Sequence, residues 1–128
     1  MNEKLKLRGV IPPMVTPLTA SGELDVAGTE RLVEHILSGG VHGLFLLGTT
    51  GEAPDLPYEV RRELVKRVTA QVNGRVPILV GITDTVFAES LKLAEFAKAK
   101  KAKTVVFINN MSATRNAGLV KDIASLVG

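Results

Sequence analysis

Short apolar runs alternate along this chain with longer amphipathic segments, and the alternation repeats four times. Two of the runs, Ile78-Leu79-Val80 and Val105-Val106-Phe107-Ile108, contain no polar position, which is typical of parallel strands buried on both faces. The predicted strands cover approximately Gly9–Thr16, Gly43–Leu47, Pro77–Gly81 and Thr104–Ile108. The predicted helices cover approximately Val26–Leu37, Tyr58–Val72, Phe87–Ala99 and Leu119–Leu126. Because strands alternate with helices, we expect right-handed βαβ units and an α/β fold, a single (βα)4 domain over residues 1–128.

The predicted helices have suitable residues at their ends. Asp25 is placed to cap the first helix, and Ser38–Gly40 marks its end. Asn73-Gly74 marks the end of the second helix. Glu63 and Arg67 are four residues apart on that helix and predict an ion pair. The apolar positions of the second helix recur at helical spacing: Val60, Leu64, Val65, Val68 and Val72.

Composition narrows the possible classes of protein. Hydrophobic residues make up 45% of the chain and charged residues 23%, as in ordinary globular proteins. The absence of cysteine excludes disulfides, thiolate metal sites and a cysteine nucleophile. The net charge of +3 is mild, and the lysines at residues 98–103 are not interleaved with aromatic residues, so we expect no nucleic-acid partner. No apolar run approaches ~18 residues and no leader pattern is present, so we expect a cytoplasmic protein without a membrane partner.

The segment Leu46–Glu52 is the strongest candidate for a functional site. Its sequence, Leu-Leu-Gly-Thr-Thr-Gly-Glu, follows a predicted strand and precedes a predicted helix. Gly48 and Gly51 allow a tight turn and a close approach of the backbone to a ligand. The adjacent hydroxyls of Thr49 and Thr50, with nearby amide N–H groups, can hold a carboxylate or another small oxyanion. The position at the carboxyl end of a strand is where α/β folds place their chemistry.

This segment also carries a resemblance to a known family. Gly48–Glu52 resembles the motif of the dihydrodipicolinate synthase/N-acetylneuraminate lyase family, the pyruvate-dependent class I aldolases. Gly9–Leu18 is similar to that family's first strand and Val76–Gly81 to its third, so the resemblance covers roughly residues 8–98 at the right spacing. It implies a (β/α)8 barrel, which typically has ~250 residues, so the 128 residues here would form a half-barrel.

The resemblance also implies the chemistry. In the family, a lysine on the sixth strand forms a Schiff base with pyruvate, and a tyrosine on the fifth strand relays protons. We expect neither strand within these 128 residues, and no lysine here matches the family position. Thr49 would belong to the hydroxyl relay, and Thr50 would lie beside the pyruvate carboxylate, with Gly48 and Gly51 shaping the site. The resemblance implies no cofactor and no metal.

Two folds remain open at this point. A half-barrel would have two unpaired strand edges, which favour pairing between chains, so we would expect a homo-oligomer. The alternative is a small open parallel sheet that resembles the flavodoxin-like fold, with helices on both faces.

Three functions also remain open. The first is a catalytically incomplete half-barrel that retains the carboxylate-binding loop. The second is a Schiff-base lyase or aldolase that becomes active with a complementary half. The third is a small-anion-binding or purely structural α/β scaffold, in which Thr49, Asp84 and Asn109 would line one rim.

The remaining candidates are weaker. Asp84 is predicted to cap the third helix rather than to bind a ligand. His35 and His42 do not have the spacing of metal ligands. Residues 99–128 depart from the family pattern, since Asn109–Ser112 stands where the family usually has proline and aromatic residues.

Overall fold

Helices and parallel strands alternate along the chain. The computed structural model describes residues 7–100, 102, 104–106 and 121. Its helices are α1 (Val26–Ser38), α2 (Tyr58–Val72) and α3 (Phe87–Ala99). Its strands are β1 (Leu44–Leu46), β2 (Ile78–Gly81) and β3 (Thr104–Val106), and a 3-10 turn covers Ala53–Asp55. The predicted bounds of α2 and α3 are confirmed. Residues 107–108 of the last predicted strand, and all of the predicted helix Leu119–Leu126 except the helical Lys121, lie outside the described residues.

The helix ends follow the sequence closely. Asp25 caps α1 by accepting a hydrogen bond from the backbone N–H of Gly28 at 2.9 Å. Gly39 follows the last residue of α1, and Asn73 ends α2 in the left-handed region with φ of 48°. The predicted pair is present, because Arg67 Nε lies 2.9 Å from Glu63 Oε1. These local predictions are therefore confirmed.

The first predicted strand, Gly9–Thr16, is not a regular strand. This segment runs parallel to β1 and forms one bridge, between Pro13 and Phe45. Phe45 N–H donates to the Pro12 carbonyl at 3.0 Å, and Met14 N–H donates to the Phe45 carbonyl at 2.8 Å. Pro12 and Pro13 have no N–H to donate, so the ladder cannot extend through them. The segment nevertheless occupies the strand's place beside β1.

The order of the strands distinguishes the two folds. The sheet is entirely parallel in the order β1-β2-β3, and the N-terminal segment lies on the other side of β1. In a flavodoxin-like sheet, the first strand would lie between the second and the third. Here each strand lies beside its neighbour in sequence, as in a (β/α)8 barrel. The flavodoxin-like alternative is therefore wrong for the described residues.

The core lies between the sheet and the helices. Leu44 and Leu46 of β1 are fully buried there, whereas Phe45, between them, is only partly buried because strand side chains alternate between faces. The helices contribute one continuous apolar cluster: Val33, Leu64, Val65, Val68, Val72, Leu93, Ala94 and Ala97. Phe45 thus points to the face that would be the interior of a barrel.

Candidate functional site

The loop Leu47–Glu52, which we call the motif loop, has an unusual backbone. Leu47 and Glu52 both adopt the left-handed region, with φ of 60° and 56°. This conformation costs roughly 1–2 kcal/mol for a residue with a side chain, and a bulky residue such as leucine adopts it rarely. The two strained residues bracket Gly48–Gly51, so the chain turns sharply at both ends of the loop.

Two neighbouring segments hold the motif loop in place. The Thr16 hydroxyl donates to the Gly51 carbonyl at 2.8 Å, and Thr16 is buried. Gly81, at the end of β2, is packed directly against the loop, since an added Cβ there would collide with the Leu47 carbonyl oxygen. Sequence analysis missed Thr16, because nothing local to residue 16 indicates a partner 35 residues away.

A pocket of about 340 Å³ opens beside the motif loop, at the carboxyl ends of β1 and β2. Its walls come from residues 47–49 and 52–55, with Phe45, Gly81 and Thr83. Thr49, which is exposed, and Gly48, which is partly buried, both line the pocket. Thr50 is exposed and Gly51 is buried, and neither contributes to the walls that the described residues form.

The charges around this pocket are negative. Glu52 and Asp55 both line it, whereas the lining residues in the described part of the chain include no lysine or arginine. An anion bound here would have to be held by hydroxyl and amide dipoles near Thr49, away from the two carboxylates. A larger groove, of about 680 Å³, lies on the outer surface and is lined by α1 and α2 side chains of both signs.

Asp84 does not cap α3, and that prediction is wrong. Val86 occupies the capping position, while Asp84 lies two residues earlier and accepts a hydrogen bond from the Val86 N–H at 2.8 Å. Its other carboxylate oxygen accepts the Tyr58 hydroxyl at 2.7 Å and lies 3.4 Å from an Arg61 nitrogen. The hydrogen bond to Asp84 raises the pKa of Tyr58, because ionising the phenol would place two negative charges together.

Arg61, like Thr16, is absent from the candidate residues predicted from the sequence. It is buried, and its Nε donates to the Leu56 carbonyl at 3.0 Å. A signal was available, because Arg61 stands at helical spacing with Leu64, Val65 and Val68, on the apolar stripe of α2. A charge on such a stripe indicates a buried partner.

Other candidate residues lie apart from the pocket. His35 is exposed, and His42 Nδ1 accepts the Val10 N–H at 3.0 Å. No cluster of three or more potential metal-ligating side chains exists among the residues that the structure describes. Asn109 lies outside those residues, so the predicted rim of Thr49, Asp84 and Asn109 is not assembled by them. Within the described part of the chain, no helix has the length and apolar character to cross a membrane.

Known proteins are similar to this chain in both sequence and fold. A sequence model of the dihydrodipicolinate synthetase family matches residues 6–114. The chain belongs to this family. A putative 2-dehydro-3-deoxy-D-gluconate aldolase, YagE of Escherichia coli K12, is 37% identical over 109 residues, which are 85% of this chain and 36% of YagE. The 4-hydroxy-tetrahydrodipicolinate synthase of Thermotoga neapolitana is 41% identical over 101 residues, which are 79% of this chain and 34% of that enzyme.

Solved structures of the family superpose closely on this chain. The crystal structure of YagE in complex with pyruvate matches with a TM-score of 0.89 at 34% identity, over 93% of this chain and 41% of that one. Dihydrodipicolinate synthase from Bacteroides thetaiotaomicron matches with a TM-score of 0.88 at 39% identity, over 97% of this chain and 43% of that one. The chain spans about a third of the length of the curated relatives it matches.

Proposed function

We propose that these residues form the carboxylate-binding part of the active site of a pyruvate-dependent lyase or aldolase. The observation that carries the proposal is the motif loop, whose strained ends hold Gly48 and Thr49 on the wall of a pocket at the carboxyl ends of two parallel strands. A relative with the same fold, YagE, has been crystallised with pyruvate. The dimensions agree, because a pocket of about 340 Å³ can hold a small keto acid.

In this proposal, the two threonines have different roles. The Thr49 hydroxyl, exposed on the pocket wall, belongs to the proton relay. The Thr50 hydroxyl is exposed next along the loop, outside the pocket walls, and in this proposal it donates to the pyruvate carboxylate at the pocket mouth. Gly48 keeps the backbone close to the ligand, and Gly51 keeps the loop seated on Thr16 through its carbonyl.

We propose that the Schiff-base lysine comes from outside these 128 residues. A nucleophilic lysine must be partly desolvated to react near neutral pH. In the described part of the chain, Lys66, Lys92, Lys98 and Lys121 are exposed, and Lys100 lies over the Phe96 ring. Because Glu52 and Asp55 line the pocket and no described lysine or arginine does, an added lysine would strengthen the binding of the pyruvate carboxylate. The remaining strands of a barrel could provide that lysine, and the lyase would then be active.

The experiment is intact-protein mass spectrometry of the 128-residue protein after incubation with pyruvate and borohydride. We expect no covalent adduct, because none of the lysines that the structure describes lines the pocket, where the imine would form. We expect pyruvate to shift the NMR signals of the Thr49 and Thr50 amides, and Thr50→Ala to weaken this binding about tenfold, while Thr69→Val on α2 leaves it unchanged. A trapped adduct that is lost in Thr50→Ala would overturn the proposed incompleteness. No pyruvate-dependent shift would overturn the carboxylate site.

We also propose that the chain forms a homo-oligomer through its strand edges. The N-terminal segment pairs with β1 on one side, and β3 ends the sheet on the other side among the described residues. Val10 and Val15 flank the paired residues of that N-terminal edge, and each is more than half exposed. Unpaired parallel edges beside exposed apolar side chains favour association. Sedimentation velocity would show a species larger than 13.6 kDa, and Val15→Lys would shift it toward the monomer.

A further inference from the structure

Arg61 is a buried charge that borders the proposed site. Its side chain is 7% exposed although it carries a guanidinium group. The Nε–H donates to the Leu56 carbonyl at 3.0 Å, a terminal nitrogen lies 3.4 Å from Asp84 Oδ2, and the Tyr58 ring centre lies 4.8 Å from Cζ. Burial of such a group is unfavourable unless its donors and its charge are satisfied together.

Asp84 completes this cluster from another part of the chain. Its side chain is 9% exposed, and both carboxylate oxygens accept hydrogen bonds. One oxygen accepts from Val86 N–H at the start of α3, and the other from the Tyr58 hydroxyl at the start of α2. The carboxylate therefore cannot move without breaking contacts to two elements. We call Arg61, Asp84 and Tyr58 the clamp.

The clamp joins two segments that line the pocket. Arg61 holds the carbonyl of Leu56, and the preceding residue, Asp55, is part of the pocket wall. Asp84 directly follows Thr83, which is part of the wall contributed by the turn after β2. The Arg61–Asp84 ion pair and the hydrogen bond from the Tyr58 hydroxyl to Asp84 therefore both link these two parts of the wall.

Attachment of α2 to the core does not require this charge. The buried apolar residues of α2 already pack against the sheet: Val60, Leu64, Val65, Val68 and Val72. An apolar side chain at position 61 would avoid the desolvation of an ion pair, which often gives no net stability. Unlike an apolar contact, the directional contacts of Arg61 fix where the Leu56 carbonyl and Asp84 lie relative to each other.

We propose that Arg61 and Asp84 are positioning residues, which hold the Asp55 and Thr83 sides of the pocket at the separation that pyruvate binding requires. This rests on the proposed function, since pyruvate is the ligand that the function assigns to the pocket. Neither residue lines the pocket: Arg61 acts through the Leu56 carbonyl next to Asp55, and Asp84 acts through Thr83, its neighbour along the chain.

The test is the pyruvate affinity of folded variants of the 128-residue protein, measured by NMR titration below the unfolding temperature. We expect Arg61→Met and Asp84→Asn each to raise the Kd for pyruvate about tenfold. The double variant should lose no more pyruvate affinity than the weaker-binding single variant, because both substitutions break the same ion pair. Arg61→Lys keeps the charge but loses the planar fork, so it should recover thermal stability without recovering affinity.

The matched control is Arg67→Met. Arg67 is on the same helix and pairs with Glu63, but its side chain is 45% exposed and the pair does not involve the pocket loops. We expect its Kd for pyruvate to equal that of the wild type. If Arg61→Met lowers the melting temperature but binds pyruvate as the wild type does, Arg61 has only a structural role and the proposal is wrong.

Amide hydrogen exchange separates this proposal from the proposed function. Arg61→Met should accelerate exchange at Leu56 and at residues 83–86 together, and leave α1 unchanged. If the wild-type protein does not bind pyruvate but this joint acceleration occurs, the proposed function is wrong. The inference that the clamp joins Leu56 to residues 83–86 is then supported. If exchange rises only at Leu56, the clamp does not join the two segments, whatever the pyruvate result.

Discussion

The motif loop and the clamp border the same pocket, yet they are held by different interactions. The motif loop is held by backbone geometry, with two residues in the left-handed region and Gly81 pressed against the Leu47 carbonyl. The clamp is held by side chains, with a buried ion pair and a hydroxyl that converge on Asp84. The first arrangement stores strain in a few residues, whereas the second requires desolvation of two charges. The two should therefore respond differently to substitution, to pH and to salt.

Gly81→Ala should have the largest effect, because it forces backbone against backbone in the motif loop. The new Cβ would meet the Leu47 carbonyl, whose carbon atom would lie 2.8 Å away. Neither β2 nor the strained loop can shift easily, so we expect a loss of about 3 kcal/mol in the free energy of unfolding, the upper range for overpacking. Urea denaturation followed by circular dichroism measures it.

Two other glycines serve as controls for that experiment. Gly48→Ala would place its Cβ 2.9 Å from the Phe45 ring, which can rotate away, so we expect a smaller loss of about 1 kcal/mol. Gly39→Ala faces only the Ile36 carbonyl at 3.3 Å and should be close to neutral. Equal losses at positions 81 and 39 would mean that the motif loop is not rigid.

How far the sequence predicts this molecule depends on the range of each interaction. The helix bounds and the Asp25 cap follow from neighbouring residues, and these predictions are confirmed for the described helices. The clamp joins residues 23 to 26 positions apart, and the link between Thr16 and Gly51 spans 35. Such pairs depend on how the strands are ordered, which a local pattern does not contain.

Asp84 shows how a long-range contact can make a local prediction wrong. Its position just before a helix predicted a cap, since a local hydrogen bond is the expected role of aspartate there. It does make a local bond to Val86, but Arg61 and Tyr58 draw the carboxylate to α2. A tertiary ion pair thus overrides the local preference.

Ser90, on α3, is a buried polar residue that contrasts with the hydrogen-bonded Arg61. It lies one turn into α3, is 1% exposed, and its hydroxyl has no hydrogen-bond partner among the described residues. Ser90→Ala removes that unsatisfied group and raises helix propensity, so we expect a gain of about 1 kcal/mol in unfolding free energy. Thr29→Val is the control, because the Thr29 hydroxyl is also buried but donates to the Asp25 carbonyl at 2.7 Å. A loss in Ser90→Ala would indicate a partner, such as a bound water.

Substitutions of Glu52 would measure the backbone strain at the end of the motif loop. Its φ of 56° favours glycine, and its side chain makes no capping hydrogen bond. We expect Glu52→Gly to be more stable than Glu52→Ala by a little under 1 kcal/mol, since glycine avoids the Cβ penalty but gains entropy when unfolded. Thermal unfolding of the two variants gives the difference. Glu52→Ala as stable as Glu52→Gly would mean that the loop relaxes and stores no strain.

The Glu34–Arg75 pair, exposed on the outer surface, should give the smallest effect and provides a contrast with the clamp. Arg75 and Gln71 donate hydrogen bonds to Glu34, which lowers the pKa of its carboxyl below the ordinary value of 4.5. A folded-state pKa below the unfolded one adds stability at higher pH, and this contribution is lost as pH falls below 4.5 through the folded value. Glu34→Gln should therefore flatten the pH dependence of unfolding in this range. Because both side chains are about half exposed, 1 M salt should remove the difference in unfolding free energy between Glu34→Gln and the wild type. The effect of Arg61→Met on unfolding free energy should persist in 1 M salt, because Arg61 is buried.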